Sequence, residues 1–385
     1  MMRIAFADFC GWDFHAQSVD VMPMGGSQSA ACHLARCLAK DGHKVFLISS
    51  VSSPGRYDGV TCLSWTQIDA AALRSMNLDA LVCILAAGNG VKLREMLGPG
   101  TLLILWNQHA HDQPGVQALR DSRERAAYDA FAMVSDWQLD QYHRCFEIDP
   151  RRMAVLRNAI APAFANLFPA YEFILSEKIM PPVLAYTSTP FRGLDLLLDA
   201  FGQIREAVPG ARLRVYSSMK VYQTSAVEDE AMYGALYQRC RQMEGVDYAG
   251  SLPQPDLARE LRSAAVLAYP NTFAETSCIA VMEAMAAGCC VVTSRLGALP
   301  ETGAGFARLI PVEQSREAFL DQFTGQTIQV LRECAARSGG MELNLRRQVA
   351  QMNHTATWHV RARQWTQWLH ALAEQRRTPG PAVAR

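Results

Sequence analysis

The sequence predicts an α/β protein of two doubly wound domains facing a central cleft, with a C-terminal helix returning to the first domain. Three observations support this. Short apolar runs alternate with amphipathic helical stretches almost throughout, the pattern of parallel sheets wrapped by helices. The rhythm breaks once, where Pro162, Pro169, Pro181 and Pro182 mix with Phe164, Phe168, Tyr171 and Phe173, and then restarts. With 385 residues, the chain is long enough to bury two cores. The expected division is a first domain over 1–165, a linker over 166–182, a second domain over 183–354, a returning helix over 355–377 and a disordered Pro- and Gly-rich tail over 378–385.

The elements follow in order. Residues 3–8 read as a strand, after which a loop ends at Gly25-Gly26 and a helix opened by Ser27 is closed by Gly42. Further strands are expected at 44–50, 80–85, 102–106, 132–135 and 153–157. In the second half the pattern predicts strands at 183–186, 213–217, 246–250, 266–269 and 290–293. Helices are expected at 194–207, 229–243 and 256–264, and in a segment holding Glu275 and Glu283. Trp358, Trp365, Trp368, Leu369 and Leu372 recur at helical spacing in a last helix, where core packing is the natural reading. In open sheets of this kind, ligands sit beyond the carboxyl ends of the strands.

Composition excludes several classes. The 37 basic and 37 acidic residues cancel, so there is no general field for nucleic acid or an anionic membrane. The basic charge is almost all arginine; the lysines are Lys40, Lys44, Lys92, Lys178 and Lys220, leaving few candidates for a Schiff-base amine. The 11 cysteines form no CxxC pair and no zinc-type spacing with histidine. No apolar run approaches the roughly eighteen residues needed to span a bilayer, and a reducing cytoplasm is the expected setting. No G-x-G-x-x-G follows the first strand and no Walker-type loop occurs, which weighs against a dinucleotide dehydrogenase or an ATPase.

The most informative segment runs from Tyr269 to Gly288. It sets Glu275 and Glu283 eight residues apart around the expected start of a helix, between two apolar strands. On one helix they would stand ~12 Å apart along the axis. The helix N-terminus beside them offers free N–H groups and a positive dipole end. Thr276 and Ser277 offer cap hydroxyls, and the small residues Ala284, Ala286, Ala287 and Gly288 allow close packing. Two hydroxyl-seeking carboxylates flanking an anion site suit a ligand with a sugar at each end and phosphates between, which is the layout of a nucleotide-sugar.

This segment resembles the E-x7-E signature of the family-four retaining glycosyltransferases, glycosyl transferases group 1, with the GT-B fold of two Rossmann-like domains. The resemblance extends to Met24-Gly25-Gly26 before a helix, to 38–45, to Val134-Ser135-Asp136-Trp137, to 155–159 and to 247–270, nearly the whole chain. It implies that Glu283 binds the ribose hydroxyls of a UDP- or GDP-sugar and that Glu275 contacts the donor sugar. Backbone N–H groups of Thr276, Ser277, Cys278, Ile279 and Ala280 would meet the diphosphate. The family's R-x4-K-G loop becomes Tyr186-Thr-Ser-Thr-Pro-Phe-Arg192-Gly193. Arg192 takes the lysine position, where it can bind phosphate bidentately. Thr187 replaces the arginine, leaving two readings: Arg192 suffices with Ser188 or Thr189, or donor binding is weak.

Gly25 and Gly26 would let the backbone approach the donor. After the 102–106 strand the family places a histidine facing the donor sugar. His109 is the first choice and His111 the alternative. A metal there lacks a third ligand at sensible spacing, so no metal or other cofactor is expected. Ser135 and Asn158 are candidate lining residues, although Asn at a strand end also forms turns. His33 and His43 read as structural.

The implied reaction is metal-independent transfer of a sugar to an acceptor hydroxyl with retention of configuration, by front-face attack. Glu275, His109 and Arg192 are the expected catalytic residues. A cell-surface glycan or polysaccharide pathway, with a glycan or lipid-linked acceptor, fits such enzymes; membrane contact is not indicated. The alternatives are a non-catalytic nucleotide-sugar-binding subunit on the same fold and a nucleotide-sugar epimerase.

Overall fold

The structure is a computed structural model that describes residues 1–169, 171–312 and 315–377. It divides into two compact units. Unit 1 holds residues 1–18, 26–158 and the chain from Trp358, and unit 2 holds 19–25 and 159–357. The chain thus passes from unit 1 to unit 2 after Asn158, seven residues before the boundary at 165 expected from sequence. The tail over 378–385 lies outside the described residues.

Unit 1 is built on an eight-stranded sheet: β1 (Arg3–Asp8), β2 (Lys44–Ser49), β3 (Gly55–Tyr57), β4 (Val60–Ser64), β5 (Ala80–Ile84), β6 (Leu102–Trp106), β7 (Ala130–Met133) and β8 (Met153–Val155). The spatial order is β3-β4-β2-β1-β5-β6-β7-β8, parallel except for the antiparallel β3–β4 pair. In register, Ile4 faces Val45 on one side and Ala80 on the other. Every residue of β5 and β6 is buried. This explains their unbroken apolar sequences, since a parallel sheet is covered on both faces.

The helix Trp358–Arg377 belongs to unit 1 and packs along the helix Gly26–Lys40. Its buried Trp365 lies edge-on to Trp106 (5.1 Å) and Phe6 (6.3 Å). Arg361 Nε donates to the Asn158 carbonyl (3.0 Å). His43 is structural, its Nδ1 accepting from the Met2 N–H (3.3 Å), and His33 is buried beside Trp358.

Unit 2 carries a parallel six-stranded sheet: β9 (Val183–Tyr186), β10 (Arg212–Val215), β11 (Val246–Tyr248), β12 (Val266–Tyr269), β13 (Cys290–Ser294) and β14 (Arg308–Ile310). Its order is β11-β10-β9-β12-β13-β14, the doubly wound arrangement in which the winding reverses between β9 and β12. Helices including Leu194–Ala207, Ala226–Gln242 and Gln254–Ser263 connect the strands. Among the described residues, no helix is long and apolar enough to cross a membrane.

Several elements differ from expectation. The β3–β4 hairpin, β14 and the helices Arg316–Ala335 and Gly339–Thr355 were not anticipated. The strand expected at 132–135 lies at Ala130–Met133. Ser135 has already left the sheet to cap the helix Asp136–Phe146, its Oγ accepting from the Gln138 N–H (3.1 Å).

Candidate functional site

The switch point of unit 2 gathers side chains from loops at the carboxyl ends of neighbouring strands. After β9 the chain turns sharply, with Tyr186 donating its hydroxyl to the Thr189 carbonyl (2.8 Å). A short turn, Pro190–Arg192, ends at Gly193 with φ +103°. Any side chain at 193 would collide with the Pro270 carbonyl oxygen, so glycine here lets the loops after β9 and β12 seat against each other.

Arg192 projects from this turn to Glu275, with Nη1 2.7 Å from Oε1. The guanidinium also lies over the Phe273 ring (4.4 Å) and beside Phe191 (5.5 Å), and its Nη2 reaches the Tyr222 hydroxyl (3.4 Å). Tyr269, the last residue of β12, donates to the same Glu275 oxygen (2.6 Å) and lies 3.3 Å from Ser188 Oγ. Burial works to lower the Arg192 pKa, but the Glu275 carboxylate, joined by Tyr222, Tyr269 and Cys278, outweighs it and holds the guanidinium well above its ordinary value. Arg192 is therefore a fixed cation, clamped by charge and aromatic faces.

Glu275 does not share a helix with Glu283, as the sequence suggested. It sits in the loop after β12, and the helix begins only at Ile279, so the helical-rise spacing does not apply. Asn271 starts this loop with an Asx turn, its Oδ1 accepting from the Phe273 N–H (2.9 Å). The Ala298 N–H holds the Glu275 carbonyl (2.7 Å), and a side chain at Gly297, φ +59°, would strike that carbonyl. The N-cap is Cys278, not Thr276 or Ser277 as their hydroxyls suggested, and its side chain makes no cap hydrogen bond. Thr276 and Cys278 are buried, while Ser277, Ile279 and Ala280 are half-buried. The opening of the helix Ile279–Ala286 thus retains backbone donors for an anion.

Glu283 is buried within that helix. Its Oε1 accepts from the Ala161 N–H (3.2 Å) and from Gln254 Nε2 (3.0 Å). Burial pushes its carboxyl up to about 8, against the lowering effect of those two hydrogen bonds. The far end of the helix is held by Lys178, whose Nζ donates to the Ala287 carbonyl (2.7 Å) and the Arg262 carbonyl (2.9 Å). A cation at that end also complements the dipole. Gln348 adds bonds to the carbonyls of Met285 and Cys289, both 2.9 Å.

Around these groups several buried polar atoms lack hydrogen-bond partners among the described residues: Thr187 Oγ1, Thr189 Oγ1, Arg192 Nε, Ser217 Oγ and Ser251 Oγ. They follow β9, β10 and β11, at the same edge of the sheet. Buried polar atoms are nearly always satisfied, so this end of the sheet offers hydroxyls and a guanidinium N–H that a ligand or water can take up.

In unit 1, His109 follows β6. Its N–H donates to Asn107 Oδ1 (2.7 Å), and its carbonyl accepts from Gln138 Nε2 (2.9 Å) and the Tyr142 hydroxyl (3.0 Å). Gly115 leaves room for its ring: a Cβ there would lie 2.7 Å from His109 Nδ1. The His111 ring makes an edge-to-face pair with Trp137 (6.3 Å). Asn158 is buried and donates to Gln108 Oε1 (2.9 Å). Gly25 is buried, and Gly26 is exposed as the first residue of its helix. Among the described residues, no group of three or more His, Cys, Asp or Glu side chains could hold a metal ion.

Tyr269, Phe273, Tyr222 and Gln254 join the site without having been singled out from sequence. Tyr269 was marked by its place at the end of β12, just before the two-glutamate segment, and Gln254 by following Pro253 at the start of a helix. Tyr222 carried no comparable signal.

Residues 181–325, which carry β9 to β14 and the loops at their carboxyl ends, match the family model described as glycosyl transferases group 1. No curated protein sequence matches the chain. Among solved structures, the fold is similar to sucrose-phosphate synthase from Thermosynechococcus elongatus, with a TM-score of 0.72 and 16% identity over 97% of this chain and 99% of that one. It is also similar to WaaG, a glycosyltransferase involved in lipopolysaccharide biosynthesis (TM-score 0.60, 17% identity, 98% and 100% coverage). A third match is HepE of Anabaena in complex with UDP-glucose (TM-score 0.66, 14% identity, 96% and 100% coverage). The two parallel-sheet units are thus those of the GT-B fold.

Proposed function

We propose that this chain, with its glycosyl transferases group 1 domain, moves a sugar from a UDP- or GDP-sugar to an acceptor hydroxyl with retention of anomeric configuration. The observation that carries the reading is the polar edge of unit 2. There a buried carboxyl at Glu283, a clamped cation at Arg192 paired with Glu275, an uncapped helix start and unpartnered hydroxyls share one end of a sheet. Glu283 suits ribose hydroxyls, and the helix start with Arg192 suits a diphosphate. Glu275, with one oxygen engaged by Arg192 and Tyr269, suits the donor sugar. The UDP-glucose complex of HepE supports the same ligand class.

In this reading, leaving-group charge is met by Arg192 and backbone N–H groups, with no metal ion. The family resemblance assigns His109, with His111 as the alternative, as the catalytic histidine, and Ser135, Asn158, Gly25 and Gly26 as further donor-side residues. Front-face attack, a glycan or lipid-linked acceptor, a cell-surface polysaccharide pathway and a cytoplasmic location follow from the family resemblance. The test is release of UDP or GDP from a panel of sugar donors by the purified chain, with the product anomer read by NMR. Transfer with retention supports the proposal; inversion, or no turnover with any donor, contradicts it. Thr187, at the position expected to hold an arginine, favours a second reading as a non-catalytic nucleotide-sugar-binding subunit. Such a subunit would bind these donors without turnover.

A further inference from the structure

The loop after β10, residues 217–222, is held more firmly than a plain connection requires. The buried carboxylate of Asp229, in the helix Ala226–Gln242, accepts from Ser218 Oγ (2.6 Å) and the Met219 N–H (3.1 Å). Tyr237 donates to the other Asp229 oxygen (2.6 Å). Ser218 Oγ accepts from the Lys220 N–H (3.0 Å), and Tyr248, at the end of β11, donates to the Ser217 carbonyl (2.9 Å). Tyr248 in turn stacks on Tyr237 (4.9 Å). Burying a carboxylate is costly unless its hydrogen bonds are made. Here those bonds serve to fix one short turn, Met219–Tyr222, at its place on the sheet edge.

That turn delivers Tyr222 to Arg192, the hydroxyl lying 3.4 Å from Nη2. Earlier in the same loop, Ser217 Oγ is buried without a hydrogen-bond partner, as is Thr187 Oγ1 just after β9, the next strand of the sheet. A hydroxyl that accepts a hydrogen bond from a guanidinium is a polarised donor, suited to pass its own proton-bearing side to an anionic oxygen. Resting on the donor-site reading above, we propose that Tyr222, set in place by Asp229, is a diphosphate-binding residue supplied by the loop after β10. It stands in for the donor that Thr187 does not provide. Its ligand is the pyrophosphate of a nucleoside diphosphate, beyond the nucleoside that Glu283 engages. The loop is then a third wall of the site, beside those after β9 and β12.

The experiment is calorimetric titration of the full chain with UDP, UMP, GDP and GMP, for wild type, Tyr222→Phe and Asp229→Asn, with melting temperatures measured in parallel. Loss of one hydrogen bond to a charged phosphate weakens binding by about tenfold or more. Tyr222→Phe should weaken the preferred diphosphate by that factor and leave the matching monophosphate within roughly twofold. Asp229→Asn, which loosens the turn without altering Tyr222, should show the same split. Diphosphate binding by Tyr222→Phe equal to wild type, or an equal loss for both nucleotides, overturns the proposal. A wild-type chain that binds neither UDP nor GDP overturns instead the donor-site reading on which it rests.

Discussion

Replacing Glu283 with glutamine should make the protein more stable in alkaline buffer and leave it unchanged in acid. The carboxyl is buried and raised from 4.5 to about 8. A carboxyl whose folded pKa lies above its unfolded value binds more protons in the folded state. Stability therefore falls as pH rises from the unfolded pKa to the folded one. At about 1.4 kcal/mol per pH unit, the loss across this window reaches at most about 5 kcal/mol. Glutamine keeps an oxygen to accept from Ala161 and Gln254 and has no charge to desolvate. Below pH 4.5 the two proteins should match. Near pH 9 the variant should melt roughly 10 °C higher, at about 2–4 °C per kcal/mol for units of this size. Thermal melts at half-unit steps from pH 4 to pH 9 read this directly. Parallel curves for the two proteins would refute the reasoning, because Glu283 would then be ionised without cost.

The same carboxyl should release protons when a nucleotide binds. Ribose hydroxyl donors favour the ionised form, so calorimetry at pH 7 in buffers of different ionisation enthalpy should show proton release that Glu283→Gln abolishes. Glu283→Ala should weaken bare UDP or GDP, whereas Glu275→Gln should spare the bare nucleotide and lower turnover of the intact donor, both measured well below the melting point. Glu275→Gln should also cost about 1–3 kcal/mol of stability in denaturant melts, because it leaves the half-buried Arg192 without its counter-charge. Gly193→Ala should destabilise by more than about 2 kcal/mol through left-handed strain and collision with Pro270, and should weaken nucleotide binding.

Much of the fold was legible in the sequence because both sheets are parallel apart from the β3–β4 pair. Buried on both faces, β6, β9 and β12 are written as unbroken apolar runs and β1 as the apolar stretch 4–7 between Arg3 and Asp8, and their observed ranges coincide with the expected ones. Elements outside that rule were missed. β3 has three residues at the sheet edge, and β4 alternates buried and half-buried positions, so neither is an unbroken apolar run; the Asp58-Gly59 turn, where both residues have positive φ, was their one strong local signal. β14 has three residues at the other edge, too few for a period.

At the site, residue types were readable where backbone geometry was not. Glu275 and Glu283 were singled out together, but the Asn271 turn and the contact with Gly297 delay the helix to Ile279 and leave Glu275 in a loop. The Arg192–Glu275 pair joins residues 83 positions apart. Their meeting follows from β9 and β12 being neighbours in the sheet, which no local pattern encodes. The role of Gln254 beside Glu283 is hidden for the same reason.

The most direct measurement is a crystal structure of the chain with UDP or GDP bound. The account predicts ribose hydroxyls on the Glu283 carboxylate, with the diphosphate against Arg192 and the first N–H groups of the helix Ile279–Ala286. A nucleotide bound elsewhere, or Glu283 still engaged only with Ala161 and Gln254, would contradict it.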